Sequence, residues 1–157
     1  MARIVQWKLC GLYKLKRAEK WYEHIPNEVI ESNDIKVLRD FNIQCDHVIE
    51  SQRPDIVVVL KKEKECKIID IAVPGDCRIC EKETEKIETY DELKREIRKL
   101  WTMKKVEVIP IVVGALGAVS KKLDKWIEKL GIHIRIELLQ KTALLGTARI
   151  LINSLES

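Results

Sequence analysis

At 157 residues the chain has the length of one domain with a real core, and its 46% hydrophobic and 34% charged residues exclude a disordered polymer. No apolar run approaches the roughly 20 residues of a membrane helix. The opening MARIVQWKLCGLYKLKR lacks a signal peptide's apolar region and cleavage site, and five irregularly spaced cysteines fit reduced thiols, so an intracellular protein with no membrane partner is expected.

The net charge of +4 is small but grouped, in Lys14, Lys16, Arg17 and Lys20, in Lys61, Lys62 and Lys64, and in Lys94, Arg95, Arg98, Lys99, Lys104 and Lys105. Such groups read either as a solvated surface or as clusters that neutralise phosphates with little regard to sequence.

In chain order, residues 3–31 read as mainly helical, interrupted at Gly11 and Pro26, with Trp7, Leu12, Leu15, Trp21 and Ile25 available for packing. The tryptophans suit a core better than a stacking surface for bases. From Lys36 to Ile49 the pattern alternates, with Phe41, Ile43, Cys45, His47 and Ile49 on one face, as in a half-buried strand. If that strand turns back through residues 50–53, Asp46 shares a face with Asp55. It is then either a third acid of a site or a surface aspartate.

The segment RPDIVVVLKKEKECKIIDIAVPGD holds two apolar β-branched runs, Ile56 to Leu60 and Lys67 to Val73, joined by KKEKE and closed by Pro74-Gly75. This is the pattern of a hairpin. Asp55 opens the first run and Asp70 interrupts the second, where a buried carboxylate costs several kcal/mol unless neutralised. A turn centred on Lys62 and Glu63 sets Asp55 opposite Asp70, with Cβ atoms about 4.5–5.5 Å apart; a turn shifted by one residue breaks the pair. Two carboxylates so close repel unless a cation lies between them. Mg2+ or Mn2+, which take oxygen ligands, would serve.

A helix is expected from about Glu81 to Trp101, with Glu81, Glu83 and Glu85 at its positive end and Lys94, Arg95, Arg98 and Lys99 at its negative end. Tyr90, Leu93, Ile97, Leu100 and Trp101 share one face. Lys86 falls inside that stripe and Lys82 at its flank. Val106 to Val113 reads as a buried strand, reached by a crossover that implies a mixed sheet, with Pro110 best placed near an edge. Ser120 is expected to cap a helix that Gly131 ends, followed by a strand at His133 to Ile136 and a last helix at Leu138 to Leu151. Cys77 and Cys80 have half of a zinc spacing and no second half. GALGAVSKK lacks the order of a phosphate loop and reads as a strand-to-helix turn.

Pro54-Asp55, a charged hairpin and a carboxylate in an apolar strand together resemble the PD-(D/E)XK signature of restriction endonucleases and Holliday-junction resolvases. The longer series WYEHIP, RPDIVVV, IIDIAVPGD, EKxxEKxxxY, VIPIVVGALG and LLGTARIL is similar to the restriction-like endonuclease region at the C-terminal end of some non-LTR retrotransposon polyproteins. The resemblance implies an α/β fold, a restriction-endonuclease-like mixed β-sheet core flanked by helices, as one domain over residues 1–157. Its helical N-terminal part would cover about 3–31, the nuclease core 36–113 and the C-terminal helices 120–152.

It further implies DNA as substrate, nicked with Mg2+ or Mn2+ held by Asp55 and Asp70, and with Asp46 as the candidate third ligand. The chain would act inside a reverse-transcriptase polyprotein, in the nucleus. One departure stands out: Ala72 occupies the position of the signature lysine, which in the retroelement branch lies on the following helix. Lys86 is the residue of that helix that faces the sheet, Tyr90 would line the same wall, and Lys82 is the second choice. The alternative function is a nuclease-fold module that binds DNA without cutting it.

Overall fold

The computed structural model describes residues 1–15, 17, 19–20, 29–39 and 54–156. The elements are α1 (Ala2–Leu12), β1 (Val29–Glu31), β2 (Ile35–Arg39), β3 (Ile56–Leu60), β4 (Glu65–Ala72), a 3-10 turn (Asp76–Arg78), α2 (Ile79–Thr89), α3 (Asp91–Leu100), β5 (Lys105–Val112), α4 (Leu123–Leu130) and α5 (Ile136–Glu156). The strands form one mixed sheet in the order β1-β2-β3-β4-β5. Neighbours are antiparallel from β1 to β4, and β5 lies parallel to β4.

The parallel pair follows from the connection, since only a long crossover, here α2 and α3, can return the chain in the same direction. The sheet is covered on both faces. Ile4, Val5 and Leu9 of α1, Leu123, Ile127 and Leu130 of α4 and Leu139 of α5 pack with Ile56, Val58, Ile69, Ile109 and Ile111. Tyr90, Leu93 and Ile97 pack with Val57, Val59, Cys66, Ile68, Val106 and Val108 on the other face. Alternate residues of β3 therefore serve opposite layers, which is why its run is continuously apolar rather than alternating.

Several expectations are corrected. Of the 3–31 region expected to be mainly helical, the described residues are helical only as far as Leu12; Lys14 takes a positive φ of 55°, and Val29–Glu31 is a strand. Its pairing with β2 is set by Ser32, whose N–H reaches Ile35 O at 2.7 Å and whose hydroxyl takes the Ile35 N–H at 3.2 Å, a polar turn favoured by the Ser-Asn-Asp sequence. Trp7 carries the Arg17 guanidinium 3.7 Å above its ring. Beyond Arg39 the expected strand, including Asp46, lies outside the described residues.

The single helix expected from 81 to 101 is two, broken at Tyr90, whose φ of −92° and ψ of 6° end α2 and begin α3. Thr89, Tyr90 and Asp91 are all weak helix formers, and Asp91 suits the first turn of a new helix. The break lets Tyr90 bury to 4% exposure, while Leu100, expected inside, is 47% exposed. α4 starts at Leu123, after Ser120 Oγ has accepted the Lys122 N–H at 3.2 Å in a preceding turn. Gly131 ends it at φ 75°. No strand forms at 133–136; Ile132 and Ile134 are buried in irregular chain, and α5 begins at Ile136.

Cys66 sits wholly inside, 1% exposed, and burial pushes its thiol up from 9.0 to about 12. The folded chain thus keeps a proton that the unfolded chain releases. Stability should be complete below about pH 9 and decline toward about 12, by about 1.4 kcal/mol per pH unit. Tyr90, raised first by burial and then by the Asp70 charge, adds to the decline above about pH 10. Melting temperatures across that window should fall less steeply for Cys66→Ala than for the wild type; parallel curves would count against this account.

Candidate functional site

The β3–β4 register pairs Ile56 with Ile69 and Leu60 with Glu65, so the turn is centred on Lys62 and Glu63 as the sequence suggests. Carried one residue further, that register sets Asp55 against Asp70. The side chains are interlocked with the backbone: the Asp55 N–H donates to Asp70 Oδ1 at 3.3 Å, and the Ile71 N–H donates to Asp55 Oδ2 at 2.7 Å. Asp70 is 4% exposed and Asp55 half-buried. Both point to the layer occupied by α2 and α3.

The charge is answered from α2. Lys86 Nζ stands 2.7 Å from Asp70 Oδ2, with side-chain exposures of 22% and 6%. The hydroxyl of Tyr90, one turn on, also hydrogen-bonds Asp70. Burial, then the Asp70 charge and that hydrogen bond, then Asp55, hold the phenol well above its usual value. It therefore stays protonated at neutral pH and donates to the carboxylate. Asp70 is gripped by an ammonium, a phenol and a backbone N–H. This corrects the expectation of an acid left uncompensated until a metal arrives.

Lys82, the second choice, turns away and pairs with Glu85 at 3.0 Å. Of the sequence-predicted residues, Asp55, Asp70, Lys86 and Tyr90 are brought together. Asp46 lies outside the described residues.

The donor set suits a hard cation. Mg2+ and Mn2+ accept carboxylate oxygens, and Mg2+ in particular is often held by one or two carboxylates with water and substrate phosphate completing its shell. Asp55 and Asp70 supply two such groups, whereas no group of three His, Cys, Asp or Glu converges among the described residues.

The Met1 amine is held low first by its burial and then by Arg39 and Arg3, with Asp55 acting in the other direction. Arg39, opposite Ile56 on β2, falls inside the strand expected from Lys36 to Ile49. Glu83, expected at the positive end of the helix, is 5% exposed and accepts the Trp126 indole N–H at 2.7 Å, from α4. Its three-residue spacing from Lys86 on the inward face was the available signal.

The basic cluster at the β3–β4 turn lies away from the carboxylates. The Lys104 N–H donates to Lys64 O at 2.7 Å, which gathers Lys62, Lys64, Lys104 and Lys105 at the β3–β4 turn. That is the far end of β4 from Asp70, about 20 Å away at 3.3 Å per residue. No helix of the described residues is long and apolar enough to cross a membrane. No protein-family model matches the chain, and no curated protein sequence matches it.

Proposed function

We propose that the chain is a metal-dependent DNA endonuclease of the restriction-like fold, one that nicks DNA for a retroelement. The observation that carries this reading is the pair of facing strand carboxylates with a lysine ammonium on one of them, Lys86 Nζ at 2.7 Å from Asp70 Oδ2. Asp55 and Asp70 would hold Mg2+ or Mn2+. When bound, the ion supplies Lewis-acid charge beside a phosphate.

The protein's own groups divide the remaining work. Lys86, poised at the carboxylate pair, orients the attacking water or meets charge developing on the phosphate. Tyr90, fixed as a neutral phenol, is a positioning residue that holds Asp70 in one orientation. The cluster at the β3–β4 turn would neutralise a stretch of the duplex distant from the carboxylates.

One observation favours a second reading, a nuclease-fold module that binds DNA without cutting. Ala72 stands where the signature lysine is expected, and the Lys86–Asp70 pair by itself is also a good structural ion pair. Titration of Mg2+ against nicking of supercoiled plasmid separates the two. Nicking that rises with Mg2+ and stops with chelator is expected of the enzyme; metal-independent retention of DNA without any nick is expected of the module. In both cases affinity should fall steeply with salt, losing on the order of a thousandfold between 50 and 200 mM if six or more phosphates are contacted. Flat affinity across that range would remove DNA as the partner.

A further inference from the structure

Between α1 and the start of α5 lies a cavity of about 550 Å³ with a mostly cationic wall. Lys8 reaches it from α1, His133 and Arg135 from the chain that leads into α5, and Lys141 from the second turn of that helix. Glu137 is the acid that lines it.

These cations are uncommitted. Elsewhere the basic side chains find acids: Lys36 and Lys61 meet Glu31, Lys62 meets Asp34, Arg95 meets Asp91 and Lys105 meets Glu107. Among the described residues none of Lys8, Arg135 and Lys141 is in an ion pair. Lys8 Nζ stands instead 5.5 Å from the centre of the Trp7 ring. Lys141 and Glu137 do not join, although they have the i,i+4 spacing at which opposite charges on a helix meet. Glu137, in the first turn of α5, suits the positive end of the helix dipole. Three like charges around one cavity repel each other, and an anion relieves them.

The floor is of another kind. Ile134, 9% exposed, and Leu138 belong to the apolar layer of α1 and α4 and close the cavity with hydrocarbon. A bare phosphate would leave that floor uncovered. Apolar walls, a few charged groups and a volume within the roughly 300–1,000 Å³ of small-molecule sites suit a ligand with one anionic and one flat apolar half. We infer that the cavity binds a nucleotide, its phosphate at Lys8, Arg135 and Lys141 and its base on Ile134 and Leu138. Arg135 offers phosphate a planar fork of donors, the two lysines act as point charges, and His133 brings a further ring donor. A free nucleotide and an unpaired nucleotide of a strand present the same two halves. The cavity lies on the sheet face covered by α1, α4 and α5, opposite the layer to which Asp55 and Asp70 point, so this inference stands whether or not the chain cuts DNA.

Isothermal titration calorimetry of the whole chain tests it, with chelator present so that no metal bridges a ligand to the carboxylates. The probes are deoxyadenosine monophosphate, inorganic phosphate and a short single-stranded oligodeoxyadenylate. The mononucleotide should bind with a Kd below about 1 mM, and at least about tenfold more tightly than inorganic phosphate because its base buries against the floor. Arg135→Gln and Lys141→Gln, both at exposed positions, should each weaken it by at least about tenfold, the effect of losing one charged hydrogen bond, while the melting temperature stays near wild type. Tighter binding of the oligonucleotide, lost in the same two variants, identifies a strand as the source of the nucleotide; equal affinity identifies the free nucleotide. The proposal is overturned by no binding of the mononucleotide, by inorganic phosphate bound as tightly, or by mononucleotide binding that both glutamine variants leave intact.

Discussion

Lys86→Ala should lower plasmid nicking by about a hundredfold to a thousandfold, the usual effect of removing one preorganised cationic or donor group beside a transferring phosphate. Lys82→Ala should stay within about twofold of wild type, because Lys82 is held by Glu85 rather than by the carboxylates. The stability of Lys86→Ala carries further information. Truncation leaves Asp70 buried beside Asp55 with no ammonium to answer it, so the metal-free variant should lose about 1–3 kcal/mol. A divalent cation that binds only the folded form should return part of that loss, through mass action. Melting curves with and without Mg2+ would then show a larger metal-dependent rise in Lys86→Ala than in the wild type. Full nicking by this variant, together with loss in Lys82→Ala, would mean that the wrong turn of α2 had been chosen.

Asp70→Asn is the second change with a large expected effect, and here the structure reverses a sequence-based expectation. An acid repelled by its neighbour would be relieved by the amide, and the variant would be as stable as the wild type or more so. Asp70 instead receives Lys86 at 2.7 Å, the Asp55 N–H at 3.3 Å and the Tyr90 hydroxyl. An asparagine offers one acceptor oxygen to these three donors and adds a donor of its own. A loss of about 1–3 kcal/mol is expected, seen as a melting temperature lower by about 3–10 °C for a chain of this size. Nicking should be undetectable at any Mg2+ concentration. An unfolded Asp70→Asn protein would identify the ion pair as structural and remove the support for a metal site, and a folded variant that still nicks would do the same by another route.

The part of the site that was legible in the sequence was the part fixed by short-range periodicity. The charged KKEKE turn between two β-branched runs determines the β3–β4 register, and the register alone sets Asp55 against Asp70. Lys86 could be read because a lysine within an apolar helical stripe has few places to go except toward whatever the stripe covers. What periodicity does not encode was lost. The break at Tyr90 depends on three weak helix formers whose preference is decided by the burial of one ring. β1 is three residues long and owes its place to a Ser32 turn and to β2. The strand expected at His133 to Ile136 contains the buried Ile134, but its backbone finds no ladder to join among the described residues. Glu83 was read only as an acid suited to a helix start, and the tertiary approach of Trp126 makes it an inward residue.

That approach has a consequence for β5. Among the described residues this strand ends the sheet, and an end strand exposes a row of unpaired backbone groups that another polypeptide can use as a template. α2 and α4 both contact β5, one helix belonging to each side of the sheet, and the Glu83–Trp126 hydrogen bond ties them to each other. Pro110, opposite Asp70, withholds one donor from the same strand. The tie and the proline together make the rim of the sheet a poor template for strand addition, so the strand that backs Asp70 is guarded against the cross-β aggregation to which its run of valines and isoleucines would otherwise incline it.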